Sequence, residues 1–258
     1  AEAQLREFLL HLKRKTLSIS VNAEVRNVLQ TASDPKALQG PTDVSEMLAW
    51  QQPSMPDNEE ISLLASSGRV IAASKRENIG QDWSSAEYFA RGQESFFHGD
   101  IYREPADGRL RWVMAAPIMD PAGSRLMGVV ALSVDPSALN DLTTGRRIVA
   151  EGADTQSFRI GNTGETYIVN RNGLMITESR DLPGTILKVK VDTLPVRSAL
   201  EQGREISSDY KDYRGVRVSG ASIFLPEMNW VVLTEIDFSQ VFAPIRRLRN
   251  TLIWLALG

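Results

Sequence analysis

Residues 161–177 read GNTGETYIVNRNGLMIT, a loop, a strand, a tight turn and a second strand. Thr166 to Val169 and Leu174 to Thr177 are β-prone runs on either side of Asn170-Arg171-Asn172-Gly173, whose asparagines and glycine suit a hairpin turn. The same grammar occurs earlier as Ile61 to Ala65, Ser66-Ser67-Gly68 and Arg69 to Ser74, with Gly68 and Gly173 lying 105 residues apart. Ala116-Pro117-Ile118 stands against Ala221-Ser222-Ile223 at that same spacing, and Val134-Asp135-Pro136-Ser137 answers Ile236-Asp237-Phe238-Ser239 at 102, as a three-residue loop gap allows. The chain therefore contains two copies of one module. A repeat of this length present twice is no solenoid, whose units recur every 20 to 50 residues, and it predicts two similar α+β domains in tandem.

Composition excludes several classes. The chain has 258 residues, enough for two domains that each bury a core. A hydrophobic fraction of 42% and a charged fraction of 24% are those of a globular protein. A net charge of −3 makes no electrostatic case for nucleic acid. Cysteine is absent, which removes disulfides, thiolate metal sites and a cysteine nucleophile. The two histidines, His11 and His98, fall in no common motif, and no Gly-x-Ser-x-Gly elbow is present, so the usual nucleophile arrangements of a hydrolase are missing. The chain carries no initiator methionine and no signal peptide and reads as a fragment of something longer.

Residues 1–40 open with apolar side chains at helical spacing, Leu5, Phe8, Leu9, Leu12, Val21, Val25, Val28 and Leu29, and predict one long helix stopping near Asp34-Pro35. The first module, 41–145, begins with a short helix from Asp43 to Trp50, where Asp43 and Glu46 have capping-box spacing. After the hairpin, Ser84 and Glu87 have that spacing again, before a short helix bearing Tyr88 and Phe89 and stopped by Gly92. Strands follow at Ser95 to Arg103, Leu110 to Met119 and Leu126 to Asp135, giving a roughly five-stranded antiparallel sheet with helices to one side. A helix capped by Asp135, with Pro136 in its first turn, closes the module and ends at Gly145. The second module, 146–238, repeats the plan with a helix from Thr193 to Gln202 and strands near Glu205 to Tyr210, Val216 to Phe224 and Trp230 to Ile236. Residues 239–258 turn helical and end in the nearly all-apolar Thr251 to Gly258, beside Arg246, Arg247 and Arg249. Eight residues cannot span a bilayer, which takes about 20, so this tail reads equally as the start of a transmembrane helix or as an amphipathic helix packed on its module.

In this arrangement the chain resembles a double Cache domain, a tandem PAS-like sensor, over essentially its whole length. The resemblance rests on Asn162-Thr163-Gly164-Glu165-Thr166-Tyr167-Ile168-Val169, on Pro117-Ile118 followed by Gly123 and Gly128-Val129-Val130, and on Trp230-Val231-Val232. It implies an extracytoplasmic, periplasmic input module of a membrane receptor, anchored just before Ala1 and again from about Thr251, and carried by histidine kinases most commonly, or by chemoreceptors and diguanylate cyclases. The fragment itself is then no enzyme and needs no cofactor. The resemblance also implies that the membrane-distal first module holds a small molecule between its sheet and the segments covering it. By position the candidate ligand-binding residues are Trp83, Tyr88, Phe89, Tyr102, Trp112, Met114 and Ser133.

The pattern departs from amino-acid-binding members of the family. Ala86 stands where they carry an arginine two residues before the aromatic pair, and Ser133 where they carry an aspartate beyond the GVV run. A guanidinium is the natural clamp for a carboxylate, so a standard α-amino acid held in that way is disfavoured and an aromatic-lined, less charged pocket is expected. Arg91 and Arg111 read as solvated surface, and each candidate aromatic read alone is as well explained by the core of a small sheet domain. Glu165 and Asn162 invite comparison with a metal loop, but no second carboxylate falls at calcium-site spacing. Three other readings stay open: a soluble solute-binding domain, a dimerising spacer that uses the apolar face of the first helix, and a protein-docking module.

Overall fold

Strand alternation and helical spacing in the sequence resolve into two compact units in the computed structural model, which describes residues 2–32, 46, 48, 60–105, 107–144 and 163–242. One unit comprises the described residues of 6–138 and the other those of 139–258 together with the first residues through Leu5. The expected helix stop at Asp34-Pro35, most of the helix from Asp43 to Trp50, Gly145, Asn162, the three arginines Arg246, Arg247 and Arg249, and the apolar tail lie outside the described residues. No described helix is long and apolar enough to cross a membrane.

The N-terminal helical run is divided into α1 (Glu2–Ser20) and α2 (Ala23–Ala32). The break falls at Val21, which is 62% exposed and contributes nothing to the core, and at Asn22, whose side-chain oxygen accepts the amide hydrogens of Glu24 at 2.8 Å and Val25 at 3.3 Å. That is an N-cap, and it starts a second helix instead of continuing the first.

In the first unit the hairpin forms β1 (Glu60–Ala65) and β2 (Val70–Ala73). After a 3-10 turn at Arg76–Asn78 and α3 (Glu87–Gly92) come β3 (Phe97–His98), β4 (Tyr102–Arg103), β5 (Leu110–Met119) and β6 (Leu126–Val134). The sheet is antiparallel in the order β2-β1-β6-β5-β3, with β4 also on β5. The strand expected over Ser95 to Arg103 is two short ones, interrupted where the Asp100 side chain accepts the amide hydrogen of Ile101 and where the Gly99 carbonyl receives the indole N–H of Trp112 at 3.1 Å. Both faces of the sheet are covered, not one. Ile61, Leu63, Trp112, Met114, Ile118, Val130 and Leu132 lie on the face met by α1 and α2, where Phe8 approaches Trp112 with ring centroids 6.3 Å apart. Leu64, Val113, Ala115, Val129 and Ala131 lie on the face met by Phe89 of α3.

At the start of α4 (Ser137–Thr143) the Ser137 amide donates its hydrogen to the Asp135 carboxylate at 2.8 Å. The second unit then contains β7 (Glu165–Val169), α5 (Leu194–Gln202), β8 (Ser207–Lys211), β9 (Arg217–Leu225), β10 (Trp230–Asp237) and α6 (Phe238–Val241), with sheet order β7-β10-β9-β8. Set beside the first sheet, β7 matches β1, β10 matches β6, β9 matches β5 and β8 matches β3 with β4. The repeat is therefore a repeat of topology. Its turn glycines also match, because Gly68 and Gly173 both have positive φ, +87° and +76°, and each donates its amide hydrogen to a carbonyl three residues back at 2.9 Å. The second half of the second hairpin is not a full strand. The Thr177 hydroxyl replaces a ladder carbonyl in accepting the Ile168 amide hydrogen, and Met175 bonds outward to Val189.

Gly128 in β6 shows how closely this packing is set. A Cβ there would collide with the Leu64 carbonyl oxygen and lie 2.8 Å from Leu29 of α2. Gly128→Ala should therefore force strand and helix apart and cost about 1–3 kcal/mol, lowering the thermal midpoint by several degrees. An unchanged midpoint would mean that the contact between α2 and the sheet is not made in solution.

Candidate functional site

Register decides which candidate residues share a face. In β5, Arg111 pairs with Tyr102 of β4 and Val113 pairs with Ser133 of β6, which in turn pairs with Glu60 of β1. These residues lie on the α3 side of the first sheet. Tyr88, Tyr102 and Trp83 pack partly buried against that face, and Phe89 is buried beneath them. Trp83 meets Tyr88 edge-on at 6.4 Å. Of the seven residues predicted from sequence, the structure thus brings together Trp83, Tyr88, Phe89, Tyr102 and Ser133. Trp112 and Met114 alternate to the opposite face of β5 and are fully buried against the N-terminal helices, so they do not join the group.

The cover over this face is pinned at both ends. The chain from Arg76 onward is tied to the hairpin by amide hydrogen bonds from Val70 to Gln81, Gly80 to Val70 and Trp83 to Gly68, each at 2.8–2.9 Å. The expected cap at Ser84 does not form. Ala86 precedes α3 without a side-chain cap, and the Asp82 carboxylate instead accepts the Ser84 amide hydrogen. At its other end α3 lies directly on the sheet, since a Cβ on Gly92 would come within 2.7 Å of Ala115 and 3.0 Å of Val129.

Two charged residues complete the face. Glu60 is only 4% exposed, and its carboxylate is held by Lys75 at 3.3 Å, by the Asn78 amide and by the Ser62 hydroxyl at 3.4 Å. The sequence reading did not single it out, although it lies 105 residues before Glu165, the displacement of the repeat. Arg111, read from sequence as solvated surface, has a side chain 29% exposed and points to the covered face, paired with Asp107 at 3.0 Å and Glu104 at 3.7 Å. Alternation away from Trp112 turns it toward the site because Trp112 itself faces the core. Burial pushes the Tyr102 hydroxyl up to about 12, with the charge of Glu104 adding to the effect, and burial raises Tyr88 further. Both phenols are neutral donors at any physiological pH.

The matching row in the second module shows what is special about the first. Ser62 pairs with Ala131 where Tyr167 pairs with Leu233, and Glu60 pairs with Ser133 where Glu165 pairs with Glu235. The first sheet thus has small side chains, Ser62, Ala131 and Ser133, on the face against which Tyr88 and Tyr102 pack, and the second fills the matching positions with large ones.

The sequence model of the Cache domain matches residues 2–245. None of the curated proteins matches the chain in sequence. Among solved structures, the sensor domain of the V. cholerae histidine kinase DctB superposes with a TM-score of 0.62 at 14% identity, covering 92% of each chain. The ligand-binding domain of the Campylobacter jejuni chemoreceptor Tlp3, in complex with 4-methylisoleucine, gives 0.64 at 12% identity over 93% of this chain and 87% of that one. That of the Pseudomonas fluorescens chemoreceptor CtaA, in complex with L-serine, gives 0.53 at 16% identity over 91% of each.

All five tyrosines of the chain, Tyr88, Tyr102, Tyr167, Tyr210 and Tyr213, have hydroxyls raised above 10, in each case chiefly by burial. Phenolate absorbance should accordingly stay flat through pH 10 and rise only near or above 12, or on alkaline unfolding. The sign follows from linkage: above pH 10 the unfolded chain loses phenolic protons that the folded chain keeps, so stability falls as pH rises. A tyrosine ionising at its ordinary pH would contradict this burial.

Proposed function

From the premise that the chain belongs to the Cache family of sensor domains, we propose that it is the ligand-sensing input domain of a membrane-anchored signalling receptor, with a histidine kinase as its output. The ligand lies on the α3 face of the first module. The observation that carries this reading is the set of small residues, Ser62, Ala131 and Ser133, on the face against which Tyr88, Tyr102 and Trp83 pack, with Glu60 and Arg111 at its edges. The first module is then the membrane-distal one, and the receptor's anchors flank the chain, which places it outside the cytoplasm.

The amino acids held by two of the neighbouring chemoreceptors support a ligand of that size. The recognition proposed here differs from the clamp whose residues are replaced by Ala86 and Ser133. The two phenols and the Ser133 hydroxyl supply neutral hydrogen bonds to the body of the ligand. A cationic end would compete with Lys75 for Glu60, and an anionic end with Asp107 and Glu104 for Arg111. Because those charges already have partners, the ligand exchanges ion pairs and gains little net electrostatic energy, so neutral contacts and shape dominate its affinity. Signalling requires the ligand to bind one arrangement of the 76–92 cover more tightly than another.

Thermal melting against organic acids, amines, purines, sugars and amino acids tests the reading. A ligand at a hundred times its Kd stabilises by about 2.7 kcal/mol, enough to raise the midpoint by several degrees. The shift should vanish in Tyr88→Ala and in Ser133→Leu, which puts a large side chain at the position that Glu235 fills in the second module. A panel that leaves the melt unmoved, or a hit that survives both changes, would instead favour a spacer or protein-docking role.

A further inference from the structure

The second module carries, at the position matching Ser133, a buried carboxylate that the ligand reading does not use. Glu235 is 2% exposed and stands in a row across all four strands: Ser208 of β8, Gly220 of β9, Glu235 of β10 and Glu165 of β7. One oxygen of Glu235 accepts the hydroxyls of Tyr167 at 2.9 Å and Tyr210 at 2.8 Å. Its other oxygen is buried and has no hydrogen-bond partner among the described residues. Directly across the ladder Glu165 is also buried, accepting the Arg180 amide hydrogen at 2.6 Å and the Tyr213 hydroxyl at 3.0 Å.

Two facing carboxylates in a dry row cannot both ionise without a compensating cation. The groups around them supply none to Glu235. Arg214, on the turn between β8 and β9, is engaged by Asp181, Asp212 and Asp237. From β7 the facing groups are Glu165 and Tyr167, and from β8 Tyr210. The β8–β9 turn adds Asp212, Tyr213 and Arg214, and the segment after the hairpin adds Arg180. On the covering helix α5 the residues buried in this cluster, Val196 and Ala199, are apolar. No group of three or more ligating side chains suited to a metal ion occurs among the described residues. Nor is there room for an organic cation at Gly220, where the Tyr210 hydroxyl occupies the space a side chain would take.

We propose that the second module binds a proton at Glu235 and that this proton is an input of the chain, independent of any ligand held by the first module. The proton goes to the oxygen that lacks a partner, leaving the two tyrosine hydrogen bonds on the other. It discharges the Glu165–Glu235 repulsion. Burial pushes the Glu235 carboxyl up to about 7, with Asp212 and Glu165 adding to the rise and the two tyrosine hydrogen bonds opposing it. The route outward is short. Two residues beyond Glu235, Asp237 holds Arg214 at 3.0 Å and donates its amide hydrogen to the Thr163 hydroxyl at 3.1 Å. Thr163 is in turn bound through its amide and hydroxyl, at 2.6 and 2.5 Å, to Gln240 of α6. Ionising Glu235 therefore loads the strand end that launches the last described helix.

Carboxyl carbon NMR of the glutamate-labelled chain, from about pH 5 to about pH 9, reads the site directly. One glutamate should titrate near neutrality, disappear in Glu235→Gln and titrate at lower pH in Glu165→Gln. Amide shifts of Phe238–Val241 should follow the same midpoint in the wild type and stay flat in Glu235→Gln. A melting series supplies a second measurement. Between the ordinary 4.5 of an unfolded glutamate and the folded value near 7, the folded chain holds one proton more than the unfolded chain. Stability must then fall as pH rises through that window and level off above it, and the wild-type midpoint should drop relative to that of Glu235→Gln. Glutamates that all titrate in the ordinary acidic range would overturn the site, and a neutral titration that leaves the amides of α6 unmoved would overturn its role as an input.

Discussion

In both modules the first strand of the hairpin is zipped to the last strand of the sheet, Glu60 to Ser133 through Ala65 to Gly128 in one and Glu165 to Glu235 through Val169 to Val231 in the other. Everything functional in the chain depends on that register. A slip of β1 by one residue would turn Glu60 and Ser62 toward the N-terminal helices and bring Ile61 and Leu63 to the α3 face. The register is held by burial on both sides, since apolar residues occupy each face of these strands, and by Gly128, whose missing side chain lets the Leu64 carbonyl approach.

With this pair fixed, a single scaffold supports two kinds of interior. In the first module small residues stand at 62, 131 and 133 on the face covered by the segment from Arg76 to Gly92, whose Trp83 and Tyr88 are only partly buried. In the second, Tyr167 and Leu233 fill the corresponding positions. The Tyr167 ring stands edge-on against Tyr213 at 5.4 Å, and the cover is α5 with Val196 and Ala199 buried against it. A filled interior discriminates among small molecules poorly but perturbs a buried acid strongly, whereas a face of small residues does the reverse. On the reading proposed above, the division of labour between the modules follows from side-chain volume at three positions.

Much of the fold was legible because its signals are local. The hairpin turns announce themselves through Gly68 and Gly173, the strands β5 and β6 through their apolar runs, and the repeat through a displacement that carries no structural assumption. What failed was also local in cause. The N-terminal helix breaks at Asn22 because a side-chain cap competes with helix continuation, and an amphipathic pattern running through Val21 conceals that competition. Ser84 and Glu87 have capping spacing, yet Asp82 takes the Ser84 amide hydrogen and the helix begins later, at Glu87.

The candidate site was legible only in part, because membership of a face is a pairing property. Trp112 and Arg111 are neighbours in β5, and reading the tryptophan as a ligand contact sent the arginine to solvent; the pairing of Arg111 with Tyr102 puts the arginine on the covered face and the tryptophan on the other. Glu60 was missed for a different reason. A single glutamate before an apolar run looks like the solvated start of a strand, and its burial depends on Lys75 and Asn78, which reach it only after the hairpin has closed. The repeat held the missing signal, since Glu60 and Glu165 keep the 105-residue displacement and a carboxylate retained at both positions is hard to explain as surface. In the first module that carboxylate faces a serine and has a lysine beside it. In the second it faces another carboxylate with no such lysine, and the proposed site there balances the charge with a proton instead of an ion pair.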